Sequence, residues 1–468
     1  MANLALATAD ELLELYRARR ASPVEVVDAC LAQIAKLGTR HNAFVLVDAD
    51  GARSAARASE TRWQRGAPAG ALDGVPVTIK DLILTRGWPT LRGSRAIDPA
   101  GPWNDDAPVT ARLREANAII LGKTTTPEMG WKAVTDSPLI GVARNPWDPS
   151  CTPGGSSGGA GIAAATGMGA LHVGTDGGGS IRVPASFCGI FGLKPSFGRV
   201  PAWPLSPTGT VSHLGPMTRG VADAATMMNV ITRPDARDWH SLPYDPVDYR
   251  DELDAGIDGM RVAWSPRLGQ FDVDAEVAAI TAAAVQAFVD AGAHVDAVDP
   301  PLDDVHAIFR VHWWVGCHNA VRGMSNEQRT RLDPGLARIA DDAKALTIDD
   351  YLDAVAARGR LGAAMRVFHT RYDLLVTPSV GVPSFAAGRL APEALGDVGG
   401  DWTRWASFSY PFNLTQQPAA SVPCGFTKAG LPVGLQIAGP MHDDRRVLRA
   451  ARAFERLRPW QSAYARFG

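Results

Sequence analysis

The sequence predicts an α/β fold: a central mixed, mostly parallel twisted sheet covered by helices on both faces. Segments of helical period alternate with short bounded apolar runs, the pattern of a sheet held between helix layers. The 468 residues are 46% hydrophobic and 21% charged, ordinary globular composition with material for a sizeable core. No repeat, low-complexity tract or obvious linker divides the chain, so residues 1–468 are expected to form a single domain.

The elements follow in order. Residues 8–20 open with a capping box, Thr8 and Glu11, ahead of Leu12, Leu13 and Tyr16 at helical spacing. Ser22, Pro23 and Glu25 supply the N-cap, N1 and N3 signals of a second helix, expected to reach about residue 36 and stop before Gly38. Residues 52–64 form a third. Residues 74–81 read as an apolar strand ending in Lys80 and Asp81. A helix at 107–117 precedes a buried strand at 118–121. Beyond a glycine-rich centre, 153–192, come a strand at 260–264, a helix at 273–291 and a strand at 294–298. A helix at 348–369 is capped by Thr347. Strands at 374–377 and 433–437 and a closing helix at 445–457 complete the pattern. The Pro/Asp-rich stretch 233–251 reads as a surface connection.

Charge and cysteine usage narrow the function classes. The net charge of −2 and scattered arginines argue against nucleic acid or an anionic membrane as partner. Cys30, Cys151, Cys188, Cys317 and Cys424 form no C-x-x-C pair and suit free thiols in a reducing compartment. The N-terminal residues lack a basic region and turn acidic at Asp10 and Glu11, unlike a signal peptide. The weakly polar run 158–174 is too short and glycine-dense to span a bilayer. A cytoplasmic protein is expected, with a homodimer as a common assembly for its class. His306, His312 and His318 recur at an interval that is no ligand spacing on a helix, so no metal is expected.

Glycine density carries the functional signal, because it implies backbone in special geometry or close to a ligand. Gly122-Lys123-Thr124 would need a glycine at 117 to be a phosphate loop, and Asn117 stands there. The 154–159 run fits a dinucleotide fingerprint only loosely. Gly154-Gly155-Ser156-Ser157-Gly158 also satisfies the nucleophile elbow of α/β-hydrolases, with His369 and His442 available downstream. An esterase using Ser156 therefore stays open as an alternative, although it leaves Lys80 and Ser180 without roles. No S-x-x-K motif occurs, which excludes a β-lactamase-type enzyme.

Three segments together match one pattern. Gly-Val-Pro-Val-Thr-Ile-Lys-Asp at 74–81, Gly-Gly-Ser-Ser-Gly-Gly at 154–159 and Asp-Gly-Gly-Gly-Ser-Ile-Arg-Val-Pro-Ala at 176–185 resemble the amidase signature family. Asn145-Pro146-Trp147, Gly192-Leu193-Lys194-Pro195, Pro411-Phe412-Asn413-Leu414-Thr415 and the 430–436 run ending in Gln436 extend the resemblance over nearly the whole chain. It implies a signature core at about 70–220, a variable pocket segment at about 300–410, and no cofactor. It also implies Ser180 as nucleophile, Ser156 as a bridging serine after a cis Gly155 peptide, and Lys80 as base. Gly177, Gly178 and Gly179, with the Ser180 N–H, would form the oxyanion hole. Met129 and Trp131 would line the acyl side of the pocket.

The chemistry is coherent. A serine hydroxyl is a weak nucleophile and needs a base. A buried lysine can be that base because desolvation favours its neutral form. Such an enzyme would cleave a carbon–nitrogen acyl bond in a small-molecule amide, anilide or carbamate. Trp313, Trp314, Trp402 and Trp405 would suit an apolar or aromatic substrate. The alternative is the glutaminase-type A subunit of a tRNA-dependent amidotransferase, which needs a partner protein. Asp176, Arg182 and Asp81 are expected to be structural, and Ser157 to cap the following helix. Two departures from the family pattern are Gln416, where many relatives have glycine, and Gly177, where many have a larger residue.

Overall fold

The structure is a computed structural model and describes residues 3–396 and 398–468. Its main sheet draws on strands from nearly the whole chain. These are β1 (Phe44–Val47), β2 (Pro76–Lys80), β3 (Ile119–Thr124), β6 (Leu171–Asp176), β7 (Phe191–Lys194) and β8 (His213–Thr218), then β9 (Arg261–Trp264), β10 (His294–Ala297), β11 (Leu374–Pro378), β12 (Ala419–Phe426) and β13 (Pro432–Ala438). A two-residue ribbon, β4 (Asp136–Ser137) and β5 (Gly141–Val142), stands apart. The eleven strands run β1-β3-β2-β6-β8-β7-β12-β13-β11-β9-β10. Pairing is parallel within β3-β2-β6 and within β11-β9-β10, and antiparallel elsewhere.

Helices cover both faces, as expected. Along β11, Leu374 and Val376 join one apolar cluster while Leu375 joins the other, as the alternation of a strand requires. The first cluster takes in the N-terminal helices and the closing helix Asp444–Leu457. The second is rich in aromatic residues and packs helices Val305–Val321, Pro334–Asp342 and Ile348–Phe368. Strands β2 and β3 are buried along their whole length, which is why they read as continuous apolar runs.

The capping signals at Thr8, Ser22 and Thr347 all close as capping boxes. The second helix does not stop before Gly38. It continues to His41 and ends at Asn42, which adopts the left-handed conformation (φ 55°) and donates its N–H to Gly38. Asparagine tolerates that conformation better than most residues, so it replaces glycine as the stop signal. Residues 233–251 carry no helix or strand, as expected. Gly122-Lys123-Thr124 lies inside β3, and Lys123 pairs with Asp81 at 3.0 Å. It is a buried structural pair, not a phosphate loop.

Candidate active site

The site forms at the carboxyl ends of two parallel strands. β2 ends at Lys80, and β6, paired to it through Val77–Leu171 and Ile79–Val173, ends at Thr175 and Asp176. The crevice beyond such ends is where open α/β sheets place ligands. Ser156 arrives just before helix Gly158–Ala165, and Ser180 just before helix Arg182–Cys188. The Gly155–Ser156 peptide bond is cis, as the resemblance implied.

Lys80 is fully buried, and its Nζ lies 2.6 Å from Ser156 Oγ, 2.9 Å from Ser157 Oγ and 2.8 Å from Thr175 Oγ1. Burial pushes its pKa well below the ordinary lysine value, with the negative charge of Asp176 opposing the shift. A neutral amine donates only two hydrogens and accepts one, so one of the three hydroxyls must donate to it. Ser157 Oγ is committed to the Thr175 backbone, 3.1 Å from its carbonyl and 3.2 Å from its N–H. Ser156 Oγ and Thr175 Oγ1 each make no other hydrogen bond among the described residues, so these are the two hydroxyls free to donate to Nζ, and Ser156 is the one that lies in the paired-serine motif. Ser157 therefore sits at the N-cap position without capping the helix. The expectation that it would cap fails because Lys80 and Thr175 engage its hydroxyl first. Thr175 itself had no motif to announce it.

Asp176 and Arg182 form the fully buried ion pair that the sequence suggested, with Nη2–Oδ1 at 2.8 Å and Nε–Oδ2 at 2.9 Å. The remaining guanidinium hydrogens reach Ser409 O, Gln436 Oε1 and Asn413 Oδ1 at 2.7, 2.8 and 2.6 Å, so every Arg182 donor is satisfied. This explains why the distant Asn413 and Gln436 segments belong to the same pattern as the serine blocks. Burial raises the Asp176 pKa, but Arg182 and its other partners outweigh that and hold it below the ordinary value of 3.8. The stabilisation it supplies is complete above that value and is lost only as pH falls below it. Asp176→Asn strands the buried guanidinium, and a loss of about 3–5 kcal/mol is expected, read as a lower urea midpoint at neutral pH.

The glycine loop is shaped by this pair. Gly179 (φ 120°) donates its N–H to Asp176 Oδ1 at 2.7 Å, and a Cβ there would lie 2.5 Å from Ser409 Cβ. Its amide is thus spent on the loop. The Gly177, Gly178 and Ser180 amides have no protein partner among the described residues. A Cβ on Gly177 would lie 2.9 Å from Trp313, so the smaller residue here accommodates that ring. Gln416 (φ 65°) occupies backbone space that favours glycine, which is a physical reason for the glycine that the resemblance implies there.

Ser156, Ser180 and Gly177 line one lobe of a cleft. Both suggested pocket residues, Met129 and Trp131, line it too. Met129 is held left-handed (φ 51°), with its N–H on Arg92 O at 2.8 Å. Of the four tryptophans expected there, only Trp313 lines the lobe, and its indole donates to Trp131 O at 2.9 Å. Trp402 packs over Gly178, Trp405 stacks on Phe187, and Trp314 lies under Arg310. Cys317, Ala320 and Leu336 add apolar wall, and Ser206, Thr208 and Ser212 add hydroxyl-bearing residues; none of these was foreseen. Of the two histidines an elbow-type esterase could use, His369 bonds Tyr372 O and Gln417, and His442 is held through its backbone N–H on Ser196 Oγ; neither bonds Ser156.

A family model described as Amidase matches residues 25–448. The chain is 36% identical over 467 residues to an acylamidase of Rhodococcus erythropolis, covering 98% of this chain and 97% of that protein. It is 37% identical over 478 residues to the A subunit of the glutamyl-tRNA(Gln) amidotransferase of Myxococcus xanthus, covering 95% and 96%. Among solved structures, a bacterial aryl acylamidase superimposes with a TM-score of 0.91 at 31% identity, covering 98% of both chains. A 6-aminohexanoate cyclic dimer hydrolase follows at 0.89 and 26%, again with 98% of both chains covered.

Proposed function

Because this chain belongs to the amidase signature family and hydrolyses amide bonds, we propose that it acts alone on amides and anilides of apolar or aromatic acids, and on aryl carbamates by the same chemistry. Neutral Lys80 takes the proton of Ser156, which takes the proton of Ser180. Ser180 Oγ attacks the acyl carbon, and the oxyanion is received by the Gly177, Gly178 and Ser180 amides. The carbon–nitrogen bond breaks as the relay returns a proton to the leaving amine. Water then attacks the ester through the same relay, releases the acid and restores Ser180. Asp176 and Gly179 hold the loop in position.

One observation carries the substrate side. None of the described residues lining the Trp131–Trp313 lobe is charged. Glutamine would bring an ammonium and a carboxylate into that lobe without partners, which is costly. An aryl or alkyl acyl group meets apolar walls. The thiols are all free, with Cys30, Cys188, Cys317 and Cys424 buried, which supports a cytoplasmic setting. The test is amine release from anilides, aryl carbamates, primary amides and glutamine by the purified chain. Anilides are expected to exceed glutamine by at least about tenfold in kcat/KM, given the cost of unpaired charge in the lobe. Turnover of glutamine alone, or none until a partner protein is supplied, would contradict the reading.

A further inference from the structure

A second lobe opens beside the first and shares Leu82, Met129, Thr175, Ser206, Pro207 and Ser212 with it. Its own walls include Ile83, Trp203, Leu205 and Leu214. Arg92 is the charged residue among the described residues lining it. Its guanidinium makes no hydrogen bond or ion pair with any described side chain or carbonyl. The carboxylate that acts on it electrostatically, Asp81, is already held by Lys123 at 3.0 Å, so two cations share one anion. The residue is half-buried, and burial pushes its pKa down. A partly desolvated, unpaired cation facing a cleft is costly unless a ligand completes it.

We propose that Arg92 is a specificity determinant, pairing with a carboxylate on the leaving amine of the substrate. The inference rests on the amide-hydrolase reading, with the acyl group in the Trp131 lobe and the amine in the Trp203 lobe. The guanidinium fork matches a carboxylate bidentately. One cation balances one negative charge, which suits a carboxylate better than a phosphate dianion. The apolar walls around it suit an aromatic or aliphatic body. The substrate class is therefore an N-acyl derivative of an amine that also bears an acid group, such as an aminobenzoate or an apolar amino acid.

The test compares two matched ligands, 4-acetamidobenzoate and the neutral 4-acetamidobenzamide. Binding to the Ser180→Ala protein is measured by calorimetry, so that neither is turned over. The carboxylate is expected to bind about tenfold or more tightly, the scale of a charge-assisted pair. Arg92→Gln and Arg92→Asn should bring the ratio of the two affinities to about one, and Arg92→Lys should keep part of it. Asparagine tolerates the left-handed backbone found at this position (φ 54°). The ratio, unlike either affinity alone, is insensitive to a general loosening of the lobe. Equal affinities with Arg92 present, or a preference that survives both variants, would overturn the proposal. Hydrolysis of the neutral ligand by the unmutated chain is followed in parallel. Its absence would count against the amide-hydrolase reading and leave the binding ratio to judge Arg92.

Discussion

Ser180→Ala is expected to lower kcat by about 10³–10⁶-fold, the range seen when a nucleophile acting in a unit with its base is removed. The change deletes one oxygen that bonds to no other group among the described residues, so the thermal midpoint should barely move. Labelling by a serine-directed phosphonate should vanish with the activity. Labelling that persists in this variant would move the nucleophile elsewhere, with Ser156 the first place to look. Ser156→Ala separates the roles. It should slow the proton relay while leaving Ser180 in place, so slow labelling should remain.

Lys80→Ala is expected to cost about 10²–10⁴-fold in kcat, the usual contribution of a general base. The pH profile distinguishes a base from a structural cation. Lys80 must be neutral to accept a proton, and its pKa is lowered well below 10.5 by burial. Activity of the unmutated chain should therefore hold above that lowered value and fall as pH drops through it. The residual activity of Lys80→Ala should lack this acid limb. The same shift affects stability. Between the lowered folded value and 10.5, the unfolded chain binds the proton that the folded chain has released, so stability rises with pH across that window. Near-normal turnover in Lys80→Ala would exclude it as the base.

Much of the site was legible because its residues are local to short motifs. Lys80 ends an apolar strand, and both serines sit in glycine runs that ordinary packing does not need. The distant Asn413 and Gln436 also stood out, and the Arg182 guanidinium that binds both gives their physical reason. Some strands were hidden by the residues that shape them. β12 contains Pro423 and Gly425, which weaken a strand reading, and its register against β13 shifts between those residues. β8 carries Gly215 and Pro216 within its span. The walls contributed by Cys317, Leu336 and the segment around Pro207 are brought to Ser180 by tertiary packing alone. Ser157 shows the limit of local rules. Its position is that of a helix cap, yet the buried amine of Lys80 claims its hydroxyl.

The central claim is an acyl-enzyme on Ser180. An activated anilide mixed with the chain and quenched in acid within a turnover should give a protein heavier by the mass of the acyl group alone. Peptide mapping should place that mass on Ser180, and Ser180→Ala should show none. No adduct under burst conditions, or an adduct carried by Ser156, would contradict the account.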